Sequence, residues 1–128
     1  MPEAKHGVFY WNELMTRDVE AAVKFYRDVM GWKFDEVDMG EFIYWVATLD
    51  GQPVAGIMGM LPDMGDEVPA HWLSYIAVDD IDARLAKAKA AGAQVIREPF
   101  DVPDVGRIAM IMDAGGGHVG WMTPTEMA

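Results

Sequence analysis

Cysteine is absent from this chain, which excludes disulfides, thiolate nucleophiles and Cys-ligated zinc or iron–sulfur centres. Any metal would have to be held by histidine, aspartate or glutamate, and there are only three histidines in 128 residues. Basic residues are also few. Ten Lys and Arg against 21 Asp and Glu leave a formal net charge of -11, and that field repels phosphate backbones and anionic lipid. Nucleic acid and membrane are therefore not expected as partners. No apolar run approaches the roughly 18 to 20 residues that span a bilayer, and the opening MPEAKHG carries no apolar signal core, so a cytoplasmic location is expected. Spacings of the GxGxxG, P-loop, GxSxG and HExxH kinds are missing. The run GGG at 115–117 precedes a strand-like segment rather than a helix and reads as a turn, not a phosphate cradle.

What is present is an ordinary globular composition, 52% hydrophobic and 24% charged, of a length that suits one domain. Residues 7–15, GVFYWNELM, have strand character and run into Thr16 and Asp18, which suit a helix N-cap. From Val19 to Met30 the apolar residues recur close to a 3.6 period, predicting a helix with one face on a sheet, ended by Gly31. Three strand-like runs follow, WKFDEVDM, FIYWVATLD and QPVAGIMGM, with Asp50-Gly51 as a hairpin signal between the last two. LPDMGDEVP, 61–69, lacks periodicity and reads as a linker. Beyond it come the strand AHWLSYIAV, a helix over 79–92, and the strands AQVIREPF, GRIAMIMD and HVGWMTP.

The order β-α-β-β-β thus occurs twice, over 7–60 and 70–123. Asp79 lies 61 residues after Asp18 and Gly92 lies 61 after Gly31, while VAGIM at 54–58 matches HVGWM at 118–122 at an offset of 64. A unit repeated at this scale usually cannot bury its own sheet face alone. The expected fold is α+β, two tandem βαβββ modules forming a cupped mixed sheet with the helices outside.

ELMTRDVEAAVKFYRDVMGW, DGQPVAGIMGM, HWLSYIAVDDIDARLAKAKAAGA and GRIAMIMDAGGGHVGW together resemble the vicinal oxygen chelate superfamily, which includes glyoxalase I, bleomycin resistance proteins and extradiol dioxygenases. The resemblance covers about residues 7–123. Where relatives commonly have Asp-Pro before the last strand, this chain has Asp113-Ala114 and three glycines. The resemblance implies a ligand cavity cupped by the modules, often in a homodimer. In metal-dependent members it also implies a divalent ion held by His and Glu on the first and last strands of each module.

Carried over by position, those ligand sites fall on Trp11 and Gly56 in the first module and on Leu73 and Gly120 in the second. None of these side chains can bind a metal, and tight sites need three or four N or O donors. No cofactor is therefore expected. The metal-dependent alternative is a displaced site. Because strand side chains alternate, Glu13 shares a face with Trp11, His71 with Leu73 and His118 with Gly120, so His71, His118 and Glu13 could supply three donors. Against this, His71 and His118 adjoin Pro69 and a glycine turn and also read as solvated rim residues, and His6 reads as idle.

Glu13 has two further readings. In an apolar cup its pKa would rise and it could be a general base or an anchor for a cationic ligand. At a strand end it would be solvated or paired with Lys or Arg. Arg107 is either an anion clamp or a surface ion-pair donor. Trp11, Met58, Tyr75 and Met122 fall on the faces the family turns inward, so Trp11, Glu13, Gly56, Met58, Leu73, Tyr75, Gly120 and Met122 form the candidate cavity. The glycines would floor it and a flat organic molecule would suit it. The expected function is metal-independent binding of such a molecule. Its rivals are a metal-dependent lyase, isomerase or dioxygenase, a metal-free enzyme using Glu13, and an interaction protein whose cup is filled by its own side chains.

Overall fold

The computed structural model describes residues 4–61, 64–102 and 105–125. Ten elements follow in the order β1 (Phe9–Thr16), α1 (Val19–Met30), β2 (Lys33–Asp38), β3 (Ile43–Leu49), β4 (Gln52–Gly59), β5 (His71–Ala77), α2 (Ile81–Ala90), β6 (Gln94–Val102), β7 (Gly106–Met112) and β8 (His118–Pro124). The α+β class and the doubled β-α-β-β-β order are as the sequence predicts. Two compact units are resolved. One is Trp11–Leu73, and the other runs from Ser74 onward and includes the residues just before Trp11. The backbone of Val8 and Gly7 accordingly exchanges hydrogen bonds with Ala77, at 2.9 and 2.7 Å. Of the expected linker, Pro62 and Asp63 lie outside the described residues.

In the first unit the strand order is β2-β3-β4-β1. β2, β3 and β4 pair antiparallel, and β1 lies parallel to β4 with Glu13 opposite Gly56 and Met15 opposite Met58. The hairpin forms at Asp50-Gly51, both at positive φ, 51° and 78°, the backbone a two-residue turn demands. One sheet face, with Leu14, Ile57, Trp45 and Phe34, packs beneath Val19, Ala22, Val23 and Tyr26 of α1. By the two-residue alternation, Trp11, Glu13, Tyr44, Gly56 and Met58 share the opposite face.

The helix departs from a single apolar stripe, since Phe25, Val29 and Met30 are more than half exposed. Only part of the apolar arc reaches the sheet. Tyr26 instead stacks on Trp32, with ring centroids 5.0 Å apart, and accepts a 3.2 Å hydrogen bond from Trp72 Nε1. Arg17 pins the segment after the undescribed pair by donating to the carbonyls of Val68 and Gly65, at 2.6 and 3.0 Å.

The second unit repeats the order as β5-β8-β7-β6, with β5 parallel to β8 and Tyr75 opposite Gly120. Val78, Ile81, Leu85, Ala109 and Ile111 form its core under α2. Asp18 caps α1 by accepting from the Ala21 amide. The cap of α2 is Asp80, which accepts from Ala83, and not Asp79, so the repeat of caps is one residue out of the predicted register. Asp79 is engaged elsewhere. It takes two hydrogen bonds from Arg84, at 2.9 and 3.0 Å, and one from the Asp80 amide.

The Arg84 hydrogen bonds hold the Asp79 carboxyl well below its ordinary value, with smaller help from the Asp80 amide, the Arg84 charge and His6. A depressed acid pKa stabilises the fold above the unfolded-state pKa near 3.8 and loses that contribution as pH falls. Solvent screening keeps the effect small. The urea midpoint of the native chain is expected to fall more steeply between about pH 4 and 2 than that of Arg84→Met. Equal slopes would show that the pair contributes nothing.

Candidate functional site

The face of the first sheet turned away from α1 gathers the polar groups. Glu13, on β1 between the aromatic and apolar residues of its strand, is 6% exposed, so the solvated reading of this carboxylate does not hold. Trp11, two residues earlier on the same face, donates from Nε1 to the Tyr44 hydroxyl at 2.8 Å. Tyr44 also hydrogen-bonds the Glu13 carboxylate. A carboxylate only accepts and an indole N–H only donates, so the phenol sits between them as acceptor from one and donor to the other. Burial first, and the Glu13 charge second, push the Tyr44 pKa far above its ordinary value, with the Trp11 hydrogen bond acting in the opposite sense. Tyr44 is a hydrogen-bond donor at any physiological pH.

Gly56 makes this arrangement possible. A Cβ there would overlap the Tyr44 hydroxyl and ring end. Gly120 stands in the same relation to Tyr75, with an added Cβ only 2.5 Å from two ring carbons. Neither glycine floors open space, contrary to the expectation from sequence, because each is roofed by a tyrosine. The other candidate cavity residues are tightly packed, with Met58 and Leu73 at 6%, Met122 at 4% and Tyr75 at 1% exposure.

Tyr44 was not among the candidates from sequence. Val46 is the register partner of Gly56, so Tyr44 reaches the glycine on the cross-strand diagonal. An aromatic ring covering a strand glycine from a neighbouring strand is a recurrent device. The signal was the Tyr44-x-Val46 alternation on the strand hairpinned to the one carrying Gly56, but reading it required the register.

The positions implied for a metal do not fit one. Trp11 and Leu73 offer no ligand atom, and the side-chain space at Gly56 and Gly120 belongs to Tyr44 and Tyr75. Among the described residues no three His, Asp or Glu side chains gather as a metal ion needs. For the displaced alternative, His71 Nδ1 is committed to the Pro69 carbonyl at 2.8 Å, and His118 is exposed at the start of β8. His6 is not idle, since its Nδ1 accepts from the Asp79 amide at 3.1 Å.

In the second unit a cavity of about 450 Å³ opens beside the start of α2, lined in part by Asp82, Asp101, Arg107 and Thr123. Arg107 is spent there. It donates to both oxygens of Asp82, at 2.9 and 3.1 Å, and lies 3.3 Å from Asp101, which settles its role as an ion-pair donor. No described helix is long and apolar enough to cross a membrane.

Two β-α-β-β-β units, each closing its fourth strand parallel to its first, define the paired-module class of glyoxalase-type folds. The chain belongs to the Glyoxalase/Bleomycin resistance protein/Dioxygenase superfamily, which its residues 8–120 match. It is 42% identical over 120 residues to the putative glyoxylase CFP32 of Mycobacterium tuberculosis, covering 92% of this chain and 46% of that protein. It is 34% identical over 122 residues to the anthracycline biosynthesis protein DnrV of Streptomyces peucetius, covering 86% and 44%. The chain therefore spans about half the length of the curated relatives it matches. Among solved structures, methylmalonyl-CoA epimerase from M. tuberculosis superposes with a TM-score of 0.67 at 19% identity, over 98% of this chain and 93% of that one. That likeness is one of fold.

Proposed function

We propose that this chain binds a small, flat organic molecule without a metal ion, on the face of the first sheet that carries Trp11, Glu13, Tyr44 and Met58. The observation that carries this reading is the Tyr44 hydroxyl lying over Gly56. A metal ligand is implied at that position in metal-dependent relatives, and here a phenol joined to an indole N–H and a carboxylate takes the space. A few fixed polar groups among aromatic and Met side chains are the usual make-up of a small-molecule site. The similarity to a protein named for anthracycline biosynthesis supports an aromatic ligand. The acidic surface, with net charge -11, favours a neutral or cationic molecule over an acyl-CoA of the kind the epimerase neighbours are named for.

The test is metal analysis of untagged protein before and after incubation with zinc, nickel, manganese and iron(II), followed by a thermal-shift screen of aromatic compounds. The expected result is less than a tenth of an equivalent of metal, on the order expected without a formed donor set, and stabilisation by aromatic compounds. Retention of metal at about one equivalent would overturn the metal-free reading.

A further inference from the structure

The helix side of the first unit carries apolar surface that its own fold leaves uncovered. Val19, Ala22, Val23 and Tyr26 of α1 meet the sheet. Phe25 and Val29, one turn apart on the helix, extend the apolar arc past it and are more than half exposed. Met30 at the helix end is as exposed, and Trp72 beside the helix is 41% exposed. These residues are continuous. The Phe25 ring meets Tyr26 edge-on with centroids 5.0 Å apart, and Tyr26 meets Trp72 at 5.5 Å while accepting its indole hydrogen bond. Side chains of this size at those exposures present roughly 400 Å², an area at which apolar patches on soluble chains are often functional.

Charge decides what can cover it. Residues 17–33, which hold α1 and its flanks, contain four of the ten Lys and Arg but only three of the 21 Asp and Glu. That stretch is net +1 in a chain of net -11, so the rest carries -12. Within α1 the signs balance, Glu20 and Asp28 against Lys24 and Arg27. Two such acidic chains repel over most of their surfaces, but at this face they can meet without bringing an excess of like charge together. A strongly basic partner gains nothing from a face that is itself net +1, and a strongly acidic one is repelled by the remainder of the chain. A nearly neutral apolar surface is what a second copy of the same face presents. A two-fold contact uses one patch on both sides. Two patches and their polar rim then reach the roughly 1,000 Å² that a specific interface needs.

We propose that two copies of this chain pair through the α1 face, with Phe25 and Val29 of each packed on the other and Trp72 and Met30 at the margin. Aromatic and Met side chains are the types enriched at the centre of such contacts. The face lies on the helix side of the first sheet, opposite the side that carries Trp11, Glu13 and Met58. The pairing is therefore independent of the binding reading above.

The experiment is sedimentation equilibrium of the untagged chain over a range of concentrations. The native chain is expected to dimerise with a Kd on the order of 10 µM, as suits an interface at the lower limit of size. Phe25→Ala should weaken the dimer by about a hundredfold, because each substitution enters a two-fold interface twice. Val29→Asn should act in the same direction. Ile96→Ala, at a similarly exposed apolar residue of the second unit, should leave the constant unchanged. Because each copy carries -11, the dimer should tighten as salt rises from about 20 to 200 mM and screens the repulsion. Circular dichroism checks the fold of each variant, and if one does not fold the other decides. A native chain that is monomeric at about 500 µM overturns the proposal and leaves the face to a different protein. A dimer that survives both α1 substitutions, or that dissociates as salt rises, places the contact elsewhere and overturns it as well.

Discussion

Gly120→Ala is expected to lower stability by about 3 kcal/mol, at the upper end of what overpacking a core costs. The added methyl would lie 2.5 Å from two carbons of the Tyr75 ring. Tyr75 is 1% exposed and paired opposite Gly120 in the β5–β8 ladder, so the ring has no solvent to turn into and the strands must part. Urea denaturation checks this, with a reduced midpoint at unchanged slope as the expected outcome. A loss below about 0.5 kcal/mol, the range of harmless surface changes, would mean that the ring is not packed on the glycine.

Tyr44→Phe should cost about 2 kcal/mol, because the change keeps the ring but deprives the buried Glu13 carboxylate of a donor and the Trp11 N–H of its acceptor. Gly56→Ala should resemble it, since the new Cβ displaces the same hydroxyl. The double variant should then lose much less than the sum of the two, as expected for changes that break one network. The pH dependence gives a second readout. The folded chain holds Tyr44 neutral by burial and by the Glu13 charge, whereas the unfolded chain ionises it near pH 10.0. A raised acid pKa contributes stability below the unfolded-state value and loses it as pH rises beyond that value. The native chain should therefore weaken more steeply above pH 10 than Tyr44→Phe. Parallel alkaline slopes, together with additive losses in the double variant, would show that the three side chains do not act as a unit.

Much of the first sheet's face turned away from α1 could be read before folding. Trp11 and Glu13 were placed together by the two-residue period of a strand, and Gly56 by its match to Gly120. Glu13 still had two opposite readings, solvated at a strand end or desolvated among aromatics, and the choice depended on neighbours contributed by β3 and β4. Tyr44 is illegible in the sequence for the same reason. Its role depends on a diagonal contact with a strand that is adjacent only once the hairpin register is set. The two caps illustrate the limit at short range. Asp79 and Asp80 are equally good N-cap residues by type, and the competing Arg84 ion pair removed Asp79 from the choice.

By itself the sequence determined the doubled β-α-β-β-β order, the helix spans to within a residue or two, and the lack of ligand atoms at the positions implied for a metal. These follow from local periodicity, capping and side-chain chemistry, which act over a few residues. Only the tertiary structure decided that Gly56 and Gly120 are roofed by Tyr44 and Tyr75, that Glu13 is buried, and that Arg107 is consumed by Asp82 and Asp101. Each of those depends on strand register and packing between residues distant in the chain, where a shift of one residue would turn every side chain to the other face.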